Sequence, residues 1–298
     1  MADRIRLIVL GGPTASGKSD LAIILARLFN GEIVNADSVQ LYKGMDIGSA
    51  KVPVSLRKEI SHHLIDVADV SDEWDVKRYE EEALKVVRSI AEKGKIPIVV
   101  GGSGFYIEAL ISGVKGPVGK NERIRGELSA MSNEELYQYL LRIDPLRAGE
   151  IGRRDRKRLI RAIEIFLLTG EKPSNFKWKG VREGWDVLKI AVTREREELK
   201  RRIRDRVLKM IDAGWVRETE ELLARYGKRR ILVDTLGYRE IILYLEGKLT
   251  LEDAIERIVR ATYDYAKRQI KWFRSKGYEF FKLDEDRDRL FNRVREWL

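Results

Sequence analysis

The sequence contains no cysteine, and this absence removes several kinds of chemistry. Disulfide bonds, thiolate metal sites and cysteine nucleophiles are all excluded. Histidine is also scarce, since His62 and His63 are the only two. If "HHLID" forms a strand, the side chains of these neighbours point to opposite faces of the sheet and cannot chelate one metal ion. We therefore expect a structural or hydrogen-bonding role for both.

Long apolar stretches are missing as well. No run approaches the ~20 residues that a membrane-spanning helix needs, and the N-terminus lacks the basic and then apolar pattern of a signal peptide. We expect a soluble, cytoplasmic protein with no membrane partner. The net charge of +10 favours a polyanionic partner. A charged fraction of 36% is, however, also typical of the surface ion-pair networks of thermophilic proteins.

A phosphate-binding loop, "GGPTASGKS", begins at Gly11. It follows the apolar run Ile5 to Leu10 and precedes a helical pattern from Asp20 to Phe29, so strand, loop and helix occur in the required order. In such a loop backbone N–H groups surround phosphate oxygens, Lys18 supplies a cation, and the Ser19 hydroxyl can bind Mg²⁺. The motif predicts a bound phosphate and, by its commonest use, ATP. It does not identify the molecule that carries the phosphate.

Short apolar runs alternate with amphipathic helices along most of the chain, the pattern of a parallel sheet covered on both faces. Between residues 115 and 183 the strand patterns stop and helical patterns replace them, including a capping box formed by Ser132 and Glu135. The stripe predicted for the second helix there is Leu159, Ile163, Phe166 and Leu167. We predict an α/β fold, with a P-loop NTPase-like parallel sheet, flanking helices and a small all-helical insertion domain. The core would comprise residues 1–114 and 184–298, and the insertion residues 115–183. The six predicted strands are "IRLIVL", "EIVNAD", "HHLID", "IPIVVGG", "VLKIAV" and "YEFFKL".

Asp37 is the clearest candidate for a catalytic carboxylate. It ends the strand "EIVNAD", and the carboxyl ends of parallel strands are where such sheets place functional groups. The residues themselves leave three roles open. Asp37 is an orienting ligand for Mg²⁺, a general base, or the cap of the following turn.

Basic residues concentrate on two helical segments, "GRRDRKRLIRAIEI" and "TREREELKRRIRDRVLKM". On the first, Arg154, Lys157, Arg158 and Arg161 share one side. Such runs are often solvated helix faces, but two of them on a basic chain favour a nucleic-acid backbone or a pyrophosphate. Aromatic residues such as Trp272 and Phe273 could stack on bases, although core packing is their more frequent use.

The order and spacing of several motifs resemble those of the tRNA dimethylallyltransferases over nearly the whole chain. The most specific is an Asp-Ser-x-Gln stretch that continues into "YKGMDIGSAK". The chain departs from the family at "GRRD", where only Asp155 of a common His-Pro-Asn-Asp run is retained. The motifs are "GPTASGKS", "DSVQLYKGMDIGSAK", "HHLID", "GGSGFY", "DRKRLIRAIEI", "GEKPS", "LGYRE" and "AKRQIKWFR".

The resemblance implies transfer of a dimethylallyl group from dimethylallyl pyrophosphate to N6 of the adenosine 3′ of the anticodon, with Mg²⁺ as cofactor and a monomeric enzyme. It implies Asp37, Lys18 and Thr14 as catalytic residues and Ser19 as a metal ligand. Arg202 and Arg206 both match a helix whose arginine approaches the diphosphate, and the sequence does not choose between them. The pyrophosphate site would be Gly12, Pro13, Thr14, Ala15, Ser16, Gly17, Lys18 and Ser19 with one of those arginines. The tRNA site would be Asp37, Ser38, Val39, Gln40, Ser103, Arg125, Lys157, Arg158, Leu159, Ile160, Arg161, Thr235, Leu236, Gly237, Tyr238 and Arg239.

Three other activities remain compatible with the motifs. A nucleotide or small-molecule kinase shares the loop and the fold. A prenyltransferase acting on free adenine nucleotides shares the chemistry, but gives the basic insertion nothing to bind. A non-catalytic RNA-binding protein would keep the loop as an anchor, but gives Asp37 no purpose beside it.

Overall fold

The computed structural model describes residues 4–114, 119–176 and 180–298. Its six strands form one sheet with the order β3-β2-β4-β1-β5-β6, and every neighbouring pair is parallel. This confirms the predicted α/β class and all six strands, although β3 is only two residues long. The strands are β1 (Ile5–Gly11), β2 (Gly31–Asn35), β3 (His62–His63), β4 (Ile96–Val100), β5 (Trp185–Thr193) and β6 (Glu279–Lys282).

The other regular elements of the described chain are helices and one 3₁₀ turn at Pro173–Asn175. No helix within the described ranges is long and apolar enough to cross a membrane. The helices are α1 (Lys18–Leu28), α2 (Val54–Glu59), α3 (Val76–Glu92), α4 (Gly104–Ser112), α5 (Glu122–Ser129), α6 (Asn133–Ile143), α7 (Pro145–Ile151), α8 (Arg156–Thr169), α9 (Arg196–Asp212), α10 (Trp215–Tyr226), α11 (Arg230–Asp234), α12 (Tyr238–Leu245), α13 (Leu251–Ser275) and α14 (Arg287–Trp297).

The chain divides into two compact units, one of Met1–Leu110 with Glu183–Leu298 and one of Ile111–Arg182. The predicted insertion begins at residue 115, which lies outside the described residues. In the larger unit β1, β2 and β4 are almost entirely buried, as expected for strands covered by helices on both faces. Their carboxyl ends lie side by side, because β2, β4, β1 and β5 are neighbours in the sheet. The segments that follow these strands therefore meet at one edge.

The helical unit has a core of its own, built mainly from α6 and α8. The predicted capping box is present: the Ser132 hydroxyl accepts the Glu135 N–H, and the Glu135 carboxylate accepts the Ser132 N–H. The predicted stripe on α8 is partly wrong. Leu159 and Ile163 are buried, but Leu167 is 44% exposed, and the third buried apolar position is Ala162. Retained Asp155 caps α8 by accepting the Arg158 N–H at 3.2 Å.

Candidate active site

A cavity of about 590 Å³ lies in the larger unit, at the carboxyl edge of the sheet. This volume is typical of a small-molecule or cofactor site. The cavity brings together most of the residues that the sequence predicted for the diphosphate and the acceptor base. The predicted residues that line it are Thr14, Ala15, Lys18, Ser19, Asp37, Ser38, Val39, Gln40, Arg206, Thr235, Leu236 and Arg239.

The phosphate loop, which lines one end of the cavity, adopts backbone angles that favour glycine at two positions. Gly12 and Gly17 have φ angles of 142° and 93°, which disfavour any residue with a side chain. A Cβ on Gly12 would lie 2.3 Å from the Val192 carbonyl oxygen, so the glycine also allows β1 and β5 to approach. Helix α1 begins at Lys18 directly after the loop. Its unpaired N–H groups and positive end therefore face the loop, an arrangement that binds anions.

Two arginines support this loop from its backbone side. The Arg202 Nε donates to the Ala15 carbonyl at 2.9 Å, and the Arg194 Nε donates to the Ser16 carbonyl at 3.0 Å. Arg206 instead lines the cavity, and its guanidinium makes no hydrogen bond or ion pair with any described residue. The structure thus separates the two arginines that the sequence left as alternatives. Arg202 holds the loop, whereas Arg206 faces the space above it.

Positive charge is concentrated and partly dehydrated at this end of the cavity. Burial lowers the pKa of Lys18 to about 8, repulsion from Arg206 adds to the effect, and the carboxylate of Asp37 opposes it. Burial likewise lowers the pKa of Arg206, again opposed by Asp37. The Nζ of Lys18 donates to the Pro13 carbonyl at 2.9 Å. Lys18 and Arg206 lie close together, and Asp37 is the carboxylate whose charge opposes the lowering of both pKa values. Two neighbouring cations of this kind form a site suited to a multiply charged anion.

Asp37 is both a turn cap and an available carboxylate. Its Oδ1 accepts the N–H groups of Val39 at 2.9 Å and Gln40 at 3.4 Å, which is the capping role that the sequence left open. Oδ2 accepts no hydrogen bond from the described part of the chain. Buried Asn35 fixes the turn, because its amide donates to the Asp37 carbonyl and accepts the Asp37 N–H. One carboxylate oxygen therefore positions the residue and the other is available to a ligand.

Gln269, which the sequence reasoning missed, joins two walls of the cavity. Its Oε1 accepts the Thr14 N–H at 2.9 Å, and its Nε2 donates to the Gly102 carbonyl at 3.0 Å. The Thr14 N–H is thus engaged within the protein. Nearby, the Ser103 hydroxyl accepts the Ser38 N–H at 3.2 Å, so predicted Ser103 supports the Asp37 turn. A lone glutamine on the buried face of "DYAKRQIKWF" is the one sequence signal that could have indicated this role.

Glu218, also missed, explains two of the quoted motifs. Its carboxylate accepts the N–H groups of Asp46, Ile47 and Gly48 at 2.9, 2.6 and 3.0 Å. It also accepts the hydroxyl of Tyr238 at 2.6 Å. Tyr238 is fully buried, so its side chain belongs to the core and not to a surface. The motif "LGYRE" therefore anchors the loop "MDIGSA", whose Gly48 and Ser49 line the cavity.

The two aromatic residues of "AKRQIKWFR" pack against the protein, Phe273 in the core and Trp272 half-buried. Phe273 is fully buried, and a Cβ on Gly11 would lie 2.4 Å from its ring. Trp272 packs against Gly104 in the same way, with 2.2 Å to a Cβ there. Base stacking by these two side chains is therefore not supported. The histidines also match the structural expectation: His62 Nδ1 lies 2.6 Å from the Ile60 carbonyl, and His63 Nε2 lies 2.7 Å from Glu32.

In the helical unit, the predicted tRNA residues fall into two groups. Arg125 and Arg161 hold Glu164, which is fully buried, at distances of 2.7 to 2.9 Å. Lys157 and Arg158 are exposed on the first turns of α8. Between them and Arg161, Leu159 is fully buried and Ile160 half-buried, so the Leu159 side chain belongs to the core and not to a surface. The basic face of α8 is thus narrower than its sequence suggests.

Within the described residues, no group of three or more His, Cys, Asp or Glu side chains could hold a metal ion. Ser19 lines the cavity at the start of α1, as the phosphate-loop motif predicts. Ser16 is fully buried in the loop, and its hydroxyl has no hydrogen-bond partner in the described structure. An orphaned hydroxyl in a phosphate loop fits a ligand that supplies the missing partner.

Comparison with known proteins agrees with this geometry. Residues 40–276 match the family model described as IPP transferase. A tRNA dimethylallyltransferase of Citrifermentans bemidjiense is 44% identical over 274 residues, which are 91% of this chain and 89% of that protein. The crystal structure of the full-length tRNA isopentenylpyrophosphate transferase of Bacillus halodurans is 35% identical, with a TM-score of 0.73 over 98% of this chain and 95% of that one.

A eukaryotic dimethylallyltransferase acting on tRNA is also similar, with 30% identity and a TM-score of 0.79 over 97% of this chain and 77% of that one. The family model covers well over half of the sequence, and these relatives match it almost from end to end. On this basis, with a phosphate loop and an aspartate sharing one cavity, the chain belongs to the IPP transferase family.

Proposed function

We propose that this protein is a tRNA dimethylallyltransferase that transfers the five-carbon group of dimethylallyl pyrophosphate to N6 of the adenosine 3′ of the anticodon. The observation that carries the proposal is the shared cavity. Lys18 and Arg206 form a cationic end beside the phosphate loop, and Asp37 presents a free carboxylate oxygen to the same space. The names of the relatives support the same substrate class.

Asp37 serves as the general base of the proposed reaction. The adenine amine is a weak nucleophile because its lone pair is delocalised into the ring. As the N6–C1 bond forms, the carboxylate accepts a proton from N6. The turn that binds Oδ1 aims Oδ2, since two backbone N–H groups fix the orientation of the carboxylate. Ser38, Val39 and Gln40 then line the space for the base.

The cationic end stabilises the leaving group. The bond between C1 and the bridging oxygen breaks, and its electron pair leaves on pyrophosphate. Lys18, Arg206 and the N–H groups at the start of α1 are arranged where that negative charge develops. Arg202 and Arg194 hold the loop in shape from behind.

Mg²⁺ fits this site as a cofactor shared with the substrate. Ser19 is the protein residue that would hold it. Mg²⁺ at such a site takes most of its ligands from substrate phosphates and water. When bound, Mg²⁺ would neutralise part of the pyrophosphate charge.

The helical unit is proposed to bind tRNA as part of a monomeric enzyme. Lys157 and Arg158 present cations on α8, while Arg125 and Arg161 order that surface through buried Glu164. Thr235, Leu236 and Arg239 line the cavity and would contact the nucleotides around the acceptor base.

The assay that tests the function is mass spectrometry of products. The protein is incubated separately with ATP and a candidate acceptor, with dimethylallyl pyrophosphate and AMP, and with dimethylallyl pyrophosphate and unmodified tRNA. We expect one five-carbon unit to be added to the anticodon arm of tRNA and no change in the other mixtures. Prenylated AMP would establish the free-nucleotide activity, and ATP turnover without prenylation would establish a kinase.

A further inference from the structure

A second, smaller groove of about 300 Å³ adjoins the mouth of the cavity between α12 and α13. Arg239, Ala261 and Asp264 line both spaces, so the groove continues from the cavity where the acceptor base is proposed to sit. Of the sequence motifs, only "LGYRE" reaches it, through Arg239 and Glu240. Its other lining residues are Glu240, Leu243, Arg257 and Arg260.

Two arginines of the groove have no direct hydrogen-bond or ion-pair partner among the described residues. Arg257 and Arg260 are exposed, and neither makes a hydrogen bond or an ion pair with any residue that the structure describes. They lie three residues apart on α13, so they share one face of the helix. An arginine pair of this kind is well suited to bind phosphate oxygens.

The acidic residues of the groove are already engaged. Glu240 accepts hydrogen bonds from the Arg239 guanidinium at 2.5 and 2.9 Å and from the Gly237 N–H at 2.7 Å. Asp264 pairs with Lys267 at 2.6 Å. The Lys267 hydrogen bond lowers the pKa of Asp264, and the charge of Arg260 adds to this effect. The direct partners of both carboxylates are nevertheless residues other than Arg257 and Arg260. The two arginines of this surface are therefore placed to bind an anionic partner molecule, because they have no direct acidic partner within the described chain.

We infer that Arg257 and Arg260 bind backbone phosphates of the RNA strand that carries the acceptor adenosine. The inference rests on the proposed function, because the occupant is identified by its neighbour in the cavity. A base inserted into the cavity keeps its flanking phosphates near the mouth, where the two arginines lie. Contacts to the backbone would fix the position of the strand without reading its sequence.

The test uses a double variant that carries both Arg257→Gln and Arg260→Gln. Its control is the single variant Arg88→Gln. Arg88 on α3 is a matched control, because it is also exposed, also unpaired among the described residues, and lines neither cavity. Binding of unmodified tRNA is measured across a salt titration, and steady-state kinetics are measured for both substrates. Each lost phosphate contact flattens the slope of log affinity against log salt by roughly 0.7 to 0.9.

We expect the double variant to flatten that slope by roughly 1.4 to 1.8, to raise the KM for tRNA, and to leave the KM for dimethylallyl pyrophosphate unchanged. An isolated anticodon stem-loop should show the same effect. A double variant that behaves like Arg88→Gln, or an effect limited to full-length tRNA, would overturn the inference. A raised KM for the pyrophosphate would also overturn it, since the groove would then serve the donor. A wild-type protein that does not prenylate tRNA would instead refute the proposed function.

Discussion

At the scale of single residues, the most informative arrangement is the Asp37 carboxylate, whose two oxygens differ in their surroundings. Oδ1 accepts two backbone N–H groups, and Oδ2 accepts none from the described chain. Structural and chemical roles thus coexist in one side chain. A substitution that keeps one oxygen but removes the charge can separate them.

Asp37→Asn is that substitution. The amide oxygen can still cap the turn, so folding and tRNA affinity should change little, whereas the single-turnover rate should fall by roughly 10² to 10⁴ through loss of the general base. The rate is measured with saturating tRNA across a Mg²⁺ titration. Recovery of most of the rate at high Mg²⁺ would assign Asp37 to metal binding. A rate within about threefold of wild type would leave only the turn cap.

Lys18 makes the reaction dependent on pH. Burial lowers its pKa to about 8, and only the protonated form can stabilise the pyrophosphate. The value of kcat/KM for dimethylallyl pyrophosphate should therefore be maximal below pH 8 and decline as pH rises through about 8. Stability should not decline with it, because a lysine whose folded pKa is lowered loses its proton first in the folded state.

The measurement is a pH profile of kcat/KM between pH 6.5 and 9.5, with thermal unfolding recorded at each pH. These limits bracket the shifted lysine pKa by roughly 1.5 units on each side. A flat profile above pH 8 would show that Lys18 does not need its proton, while unfolding over the same range would make the profile uninformative about chemistry.

At the scale of elements, the loop that follows Asp37 is held by helices distant in sequence. Glu218 on α10 binds three successive N–H groups of the loop, and Tyr238 at the start of α12 binds Glu218. Gly48 has room only for hydrogen there, since a Cβ would lie 2.0 Å from the Trp215 ring nitrogen. Packing of α10 and α12 therefore shapes one wall of the cavity.

Tyr238→Phe tests this arrangement. It removes one hydrogen bond to the half-buried Glu218 carboxylate, so the free energy of unfolding should fall by about 1.5 kcal/mol. The KM for tRNA should rise because the loop that lines the cavity loses support. Tyr244→Phe on the same helix is the control, since its hydroxyl has no hydrogen bond within the described residues. Urea titration that gives the two variants equal stability would contradict the role of Tyr238.

The helical unit shows a second element-scale device, the buried ion cluster around Glu164. Burial by itself raises the pKa of this carboxyl, but hydrogen bonds from Arg125, Asn121 and Arg161 hold it at about 2. Because the pKa is lowered in the folded state, the stabilisation is present above the ordinary value of 4.5 and is lost as pH falls towards 2. The two arginines therefore contribute to the stability of the helical unit, whether or not they also contact RNA.

At the scale of the whole molecule, the net charge is +10, but only some of the basic side chains are free to bind an anionic partner. Many arginines are engaged in ion pairs, including Arg204 with Glu256 and Arg217 with Glu221. Those facing the cavity, the small groove and the start of α8 are the ones that our proposals assign to anions. The proposed enzyme would therefore bind tRNA through a limited set of cations and not through its total charge.

Arg158→Ala tests this view at α8. For this variant, the slope of log tRNA affinity against log salt concentration should become less steep by roughly 0.7 to 0.9, which is the value of one phosphate contact. Lys85→Ala is a close control, because Lys85 is 71% exposed and paired with Glu82 at i−3, as Arg158 is 68% exposed and paired with Asp155 at i−3. Equal slopes for the two variants in filter-binding titrations would show that only total charge matters.

The six strands, the phosphate loop, a site at Asp37 just beyond a strand and the family resemblance were predictable from the sequence. These features are local: glycines permit the loop backbone, continuous apolar runs form buried strands, and a capping box begins α6. The extents of β2, β3 and the stripe on α8 were misjudged: β2 ends at Asn35, two residues before Asp37. Buried Glu164 occupies the α8 face beside Ile163, which a search for apolar periodicity does not register.

The packing of the folded chain determines which charged side chains face the cavity. Arg202 and Arg206 lie four residues apart on one helix, and packing of α9 against the loop turns the first to a carbonyl and the second to the cavity. Gln269 accepts a hydrogen bond from the Thr14 N–H, which is 255 residues away in the sequence. Glu218 accepts one from the Asp46 N–H, which is 172 residues away. Such pairings have no periodic trace in the sequence, because they depend on how helices return to the sheet and on which buried polar groups then need partners.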